Sequence, residues 1–105
     1  MFKRFSAYQN DRRDRPDKSL SPGSYATTEA DARNVRTGAE AVARYALPDP
    51  KPASYVVTVR PNAATSIQTG TVAPAFGQPG GGVEVIFPAG TQPATVTGPT
   101  KLPDQ

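Results

Sequence analysis

At 105 residues with no Cys, no His and no Trp, the chain is one small domain with a thin core. A disulfide scaffold, thiolate chemistry and Ser-His-Asp or Cys-His catalysis are excluded, and a zinc site would need carboxylates alone, so no metal or cofactor is expected. The net charge of +3 and pI near 9.5 favour an anionic partner: RNA, a nucleotide or an acidic protein.

Residues 1–20 read as a charged flexible arm and 21–105 as the single domain. Lys3, Arg4, Arg12, Arg13, Arg15 and Lys18 lie in the arm against Asp11, Asp14 and Asp17. The run from Asn10 to Lys18 has no apolar period with which to bury a face. Phe2, Phe5 and Tyr8, three apart, suit a short helical turn docked on the domain. The start Met1-Phe2-Lys3-Arg4-Phe5-Ser6 lacks the apolar stretch of a signal peptide, and no apolar run is long enough to cross a bilayer.

Ser21-Pro22-Gly23-Ser24 is a turn, and Tyr25 to Thr28 a short extended piece. Thr28 is a good N-cap, with Asp31 three residues on, for a first helix from about Glu29 to Val35. Thr37-Gly38-Ala39-Glu40 matches a capping box and opens a second helix to about Ala46. Val35, Ala39, Val42 and Ala46 give that region a narrow apolar stripe. Prolines 48, 50 and 52 end it.

From Ser54 the period changes to two. Tyr55 to Arg60 reads as a strand, Thr65 to Val72 as a weaker one, and Gly80 to Phe87 as a third. Val83, Val85 and Phe87 lie on one face of the third strand, Glu84 and Ile86 on the other. Ala94 to Thr97 is a short last strand, with a frayed or edge-covering tail after it. The expected fold class is α+β: an N-terminal helical segment packed on a mostly antiparallel sheet of three to five strands.

The chemistry centres on Glu84, the only acid between Asp49 and Asp104. Carboxylates are depleted in strands, and Gly80, Gly81 and Gly82 beside it let a backbone come close to a ligand. Glu84 is then a candidate general base, with Tyr25, Thr27 and Thr28 as further catalytic candidates. Arg60, Arg44 and Lys101 are candidate phosphate clamps, and Gly80–Gly82, Phe76 and Gln78 candidate substrate contacts. The glycines are not a Walker loop, because no Lys-Ser/Thr follows and the next element is a strand. An equally open reading leaves Glu84 on a solvated face with no chemical role.

The loop Gly70-Thr71-Val72-Ala73-Pro74-Ala75-Phe76-Gly77-Gln78-Pro79-Gly80-Gly81-Gly82-Val83-Glu84 resembles the signature of the tuberculosis necrotizing toxin family of NAD glycohydrolases. Ala46-Leu47-Pro48 and a Tyr-Val strand precede it in the same order, so the resemblance spans roughly half the chain. Ala75 stands where that family usually has an aromatic residue, and Glu84 where it has a catalytic Gln. More broadly, Ser24 to Thr28, Arg44 to Pro48 and Gly80 to Val85 are similar to C-terminal toxins of bacterial polymorphic or contact-dependent inhibition systems. That resemblance implies delivery as part of a larger protein into the cytoplasm of a neighbouring cell. It also implies neutralisation by a cognate immunity protein, expected to be acidic because the toxin is basic.

Within such toxins, a helix followed by an antiparallel meander resembles the barnase–EndoU–colicin–RelE ribonucleases. Size, charge and that order favour cleavage of tRNA, and the Gly-rich loop favours NAD hydrolysis. The expectation is a ribonuclease first, an NAD glycohydrolase second and a non-enzymatic binding module third.

Overall fold

The computed structural model describes residues 1–8, 15–47 and 53–103. In chain order the elements are β1 (Phe2–Ser6), β2 (Ser24–Thr28), α1 (Glu29–Ala32), α2 (Gly38–Tyr45), β3 (Tyr55–Val59), β4 (Gln68–Thr71), β5 (Val83–Phe87) and β6 (Val96–Lys101). The strands form one six-stranded sheet in the order β4-β5-β2-β1-β3-β6, with every neighbouring pair antiparallel. The expected α+β fold, an N-terminal helical segment on three to five strands, is therefore corrected. Two strands precede the helices, the sheet has six, and the strand order is not a meander. Most of the expected charged run (residues 9–14), the proline-rich stretch 48–52 and the last two residues lie outside the described part.

The error traces to β1. Phe2 and Phe5 are three apart, a spacing that suits a helical turn, but on a strand an odd separation sends them to opposite faces. Phe2 pairs with Val59 and Thr28, and its ring meets Phe87 edge-on at 5.5 Å. It joins a core of Leu20, Val57, Val59, Val85, Phe87 and Val96. Phe5 serves the opposite face, where its ring stacks on Tyr45 at 5.4 Å beside Val35, Ala41 and Ala53. With both faces covered, β1 shows none of the polar/apolar alternation that marks a half-buried strand.

The helices are short. Thr28 caps α1 by accepting the Asp31 N–H at 3.2 Å, yet α1 ends after four residues, before the expected Val35. In α2 the capping box forms as the sequence implies: Thr37 Oγ1 accepts the Glu40 N–H at 3.2 Å, and Glu40 Oε1 accepts the Thr37 N–H at 3.1 Å. Of the expected stripe, Val35, Val42 and Ala46 are buried and Ala39 is exposed. Gly38 and Ala41 complete the buried face instead. Gly38 lies so close to the Ala53 backbone that a Cβ has no room, and its N–H donates to the Pro103 carbonyl at 2.6 Å. The start of α2 is thus pinned between the entry to β3 and the exit from β6.

The alternation expected on β5 is present: Val85 and Phe87 are fully buried, Val83 packs on the same core, and Glu84 and Ile86 are half-exposed on the other face. The last strand runs further than expected, through Gly98 and Pro99 to Lys101. It is an edge strand, where a missing proline N–H leaves no ladder bond unmade.

Candidate functional site

β5 is launched from the Gly80–Gly82 loop, and that loop is bonded into the protein on two sides. Gly80 N–H donates to the Ala43 carbonyl at 2.9 Å and Gly82 N–H to the Arg44 carbonyl at 3.1 Å. Gly81 N–H donates to Val72 O at 2.9 Å, and Val72 N–H to Gly82 O at 2.8 Å. All three glycine donors are therefore taken by the chain's own carbonyls, those of α2 and of the residue following β4. The need for glycine is steric. Gly80 has φ of 69° and a Cβ there would sit 2.6 Å from Val72 O. Gly81 has φ of 98°, a region closed to most side chains. A Cβ on Gly82 would strike the Tyr45 ring at 2.6 Å. The close approach these glycines permit is to α2 and the end of β4.

Beside the loop lies a buried polar cluster centred on Asp31. Arg44 grips its carboxylate with both arms, Nη2 to Oδ1 at 2.7 Å and Nε to Oδ2 at 3.1 Å. Oδ2 also accepts the Tyr45 hydroxyl at 2.9 Å, the Val83 N–H at 3.2 Å and the Thr27 hydroxyl at 3.4 Å. The pairing of β2 with β5 ends at Ala26 opposite Val85, and Asp31 satisfies the Val83 N–H beyond that point. The Arg44 hydrogen bonds hold the Asp31 carboxyl down at about 2, against the opposing pull of burial and with help from Tyr45 and the Val83 N–H. Burial, then the Asp31 hydrogen bond, pushes the Tyr45 phenol up to about 12. Arg44 is raised by the same carboxylate. A salt bridge with this many donors is well satisfied, and it neutralises the charge of Arg44.

Glu84 stands next to this cluster, one residue past Val83. It pairs with Gly70 on β4, and on its other side Thr27 follows Ala26, the partner of Val85. Tyr25, opposite Ile86 and 52% exposed, shares that sheet face with Thr27 and Glu84. No ion pair or hydrogen bond engages the Glu84 carboxylate among the described residues. The structure thus brings Glu84, Thr27, Arg44 and the glycines to the start of β5, with Tyr25 on the same face further along, opposite Ile86. Thr28 is committed to capping α1.

The remaining candidates lie elsewhere. Arg60 follows β3, three strand positions from β5, roughly 14 Å along the sheet at the usual strand spacing. Its Nε lies 3.2 Å from Met1 Sδ, and it lines a cavity of about 320 Å³ with Phe2, Pro61, Thr65 and Ile67. Lys101 is on the far edge strand, β6. Phe76 and Gln78 belong to a tight turn closed by mutual backbone bonds of Ala75 and Gln78 at 2.8 and 3.2 Å. Phe76 (φ 53°) and Gly77 (φ 75°) have the two positive φ angles of a type I′ turn, and the Phe76 ring is 68% exposed.

Sequence reasoning noted Asp31 only by its spacing from the N-cap Thr28 and gave Tyr45 no role. Asp31 and Arg44 are 13 residues apart on different helices, a separation that no local period marks. The one available signal was an acid placed at the third position of a short, weakly apolar helix. Comparisons with protein-family models, curated proteins and solved structures give no match. No helix among the described residues is long and apolar enough to cross a membrane.

Proposed function

We propose that the domain is the toxic effector of a bacterial contact-dependent or polymorphic system, and that it hydrolyses the glycosidic bond between nicotinamide and ribose in NAD. The observation that carries the reading is Glu84: an unpaired carboxylate, half-exposed, held at the start of β5 by a loop fastened to α2. Cleavage of this bond releases nicotinamide as a neutral molecule, so no general acid is needed. One carboxylate beside the ribose stabilises the positive charge that develops as the bond breaks. Glu84 then accepts a proton from the water that attacks the same carbon, giving ADP-ribose, nicotinamide and a proton.

Two observations move the balance away from RNA. The helix-then-meander order that favoured a ribonuclease is absent. Between Pro61 and Thr100 the only ionisable side chain is Glu84, so β4 and β5 bring no cation of their own to the site. A polyanion needs several cations beside the reacting group; Arg44 is neutralised by Asp31, and Lys3, across Thr27 from Glu84, donates to Thr58 on β3. RNA cleavage stays as the second reading because Tyr25 offers a second proton-carrying group on the Glu84 face. The cognate immunity protein is proposed to be acidic and to engage the basic half of the chain.

Inducible expression in bacteria, with RNA gels and NAD measured on the same samples, separates the readings. Loss of NAD with intact tRNA is expected, and Glu84→Ala should restore both NAD and growth. Cleaved tRNA at constant NAD would establish the ribonuclease instead, and uninhibited growth would leave a binding module.

A further inference from the structure

The two edges of the sheet are unlike. β6 carries Pro99, which has no N–H, and Lys101, and it faces an irregularity in β3 between Val56 and Thr58. These are the devices by which proteins block the addition of further strands. β4, Gln68-Thr69-Gly70-Thr71, has none of them: all four residues are exposed, and none is charged or proline.

Its hydrogen-bond phase follows from the bond that Val72 N–H makes to Gly82 O. Backbone groups of an antiparallel strand alternate in direction, so Gln68, Gly70 and Val72 bond towards β5. Thr69 and Thr71 therefore present their N–H and C=O groups outwards. A strand added here with its two-fold axis through Gly70 sets Thr69 of one copy opposite Thr71 of the other. The two copies then exchange four N–H···O bonds, Gln68 meets Val72, and Ile67 meets Ala73. Gly70 puts no side chain beside the axis, and nothing lies within 4 Å of its Cβ position.

Charge selects the occupant. A protein of net charge +3 repels its own copy over most of its surface. The exception is the stretch from Pro61 to Thr100, where Glu84, beside Gly70 on the neighbouring strand, is the only ionisable group. An acidic partner finds no cation to engage on β4. We infer that β4 is a homodimer interface, in which a second copy of this chain pairs antiparallel across Gly70 and extends the sheet through both subunits. This does not depend on the enzymatic reading.

Sedimentation equilibrium of the full chain from micromolar to millimolar concentration tests it. A monomer–dimer equilibrium is expected, with the Thr69 and Thr71 amides exchanging more slowly as the dimer forms. Thr69→Pro removes an outward donor while leaving the ladder to β5 intact, and should weaken dimerisation at least about tenfold with an unchanged circular dichroism spectrum. Should the proline disturb the fold, Thr69→Lys places a charge on the edge and should weaken the dimer likewise. A monomer at every concentration, a dimer that tolerates both variants, or a dimer whose Thr69 and Thr71 amides gain no protection overturns the inference.

Discussion

Asp31 is 8% exposed and carries a full charge, a state that is stable only because five donors converge on its two oxygens. Its folded-state value of about 2 lies below the unfolded 3.8. The carboxylate therefore contributes fully above pH 3.8 and loses that contribution as pH falls through about 2, a linkage of about 2 kcal/mol. Asp31→Asn keeps the shape but strands the Arg44 guanidinium and at least one N–H, so at neutral pH it should lower stability by about 2–4 kcal/mol. Urea unfolding at pH 7 and at pH 2.5 checks both statements together. Wild type should lose more stability between those pH values than the variant does, and equal losses would show that other carboxylates dominate acid unfolding. None of this was legible in the sequence beyond the Thr28–Asp31 spacing, because the partners come from another helix and from the backbone of a strand.

At the scale of elements, the legible parts were those whose signal is local. The capping box at Thr37, the alternation of β5 and the β-branched run of β3 each lie within a few residues, and each forms. The Gly-rich loop was legible as an unusual backbone, but the reason for it was not. Glycine allows close approach to a ligand and to a neighbouring helix alike, and only the tertiary structure shows α2 there. The two causes of glycine can be separated by substitution. Gly81 has open space around its Cβ position but φ of 98°, so Gly81→Ala should cost about 1–2 kcal/mol through backbone strain alone. Gly82→Ala drives a methyl into the Tyr45 ring and the Arg44 stem and should cost about 1–3 kcal/mol by overpacking. Only Gly82→Ala should also change the near-ultraviolet circular dichroism of tyrosine, by disturbing the Phe5–Tyr45 stack. If Gly81→Ala alters that signal equally, the loop is not held against α2 as described.

At the scale of the whole molecule, the start of the segment that reads as a charged flexible arm lies mid-sheet. β1 sits between β2 and β3, pairs with β3 over all five of its residues, and sends one aromatic ring into each of the two apolar clusters. Charge hid it: Lys3 and Arg4 make the strand look solvated, although Lys3 Nζ donates to Thr58 on the neighbouring strand at 2.7 Å. A freely moving arm and a mid-sheet strand make opposite predictions for removal of residues 1–8. An arm can be cut away without loss. Without β1, however, β2 with β5 and β4 is severed from β3 with β6, and sheets of two or three short strands do not bury enough apolar surface to persist. The chain from residue 9 onwards should therefore show no cooperative thermal transition. Point variants keep the test from resting on a truncation. Phe2→Ala and Phe5→Ala should each lower stability by about 2–4 kcal/mol, and since the rings lie on opposite faces their effects should add within about 0.5 kcal/mol. A truncated chain that melts cooperatively near the wild-type temperature would return these residues to the role of an arm.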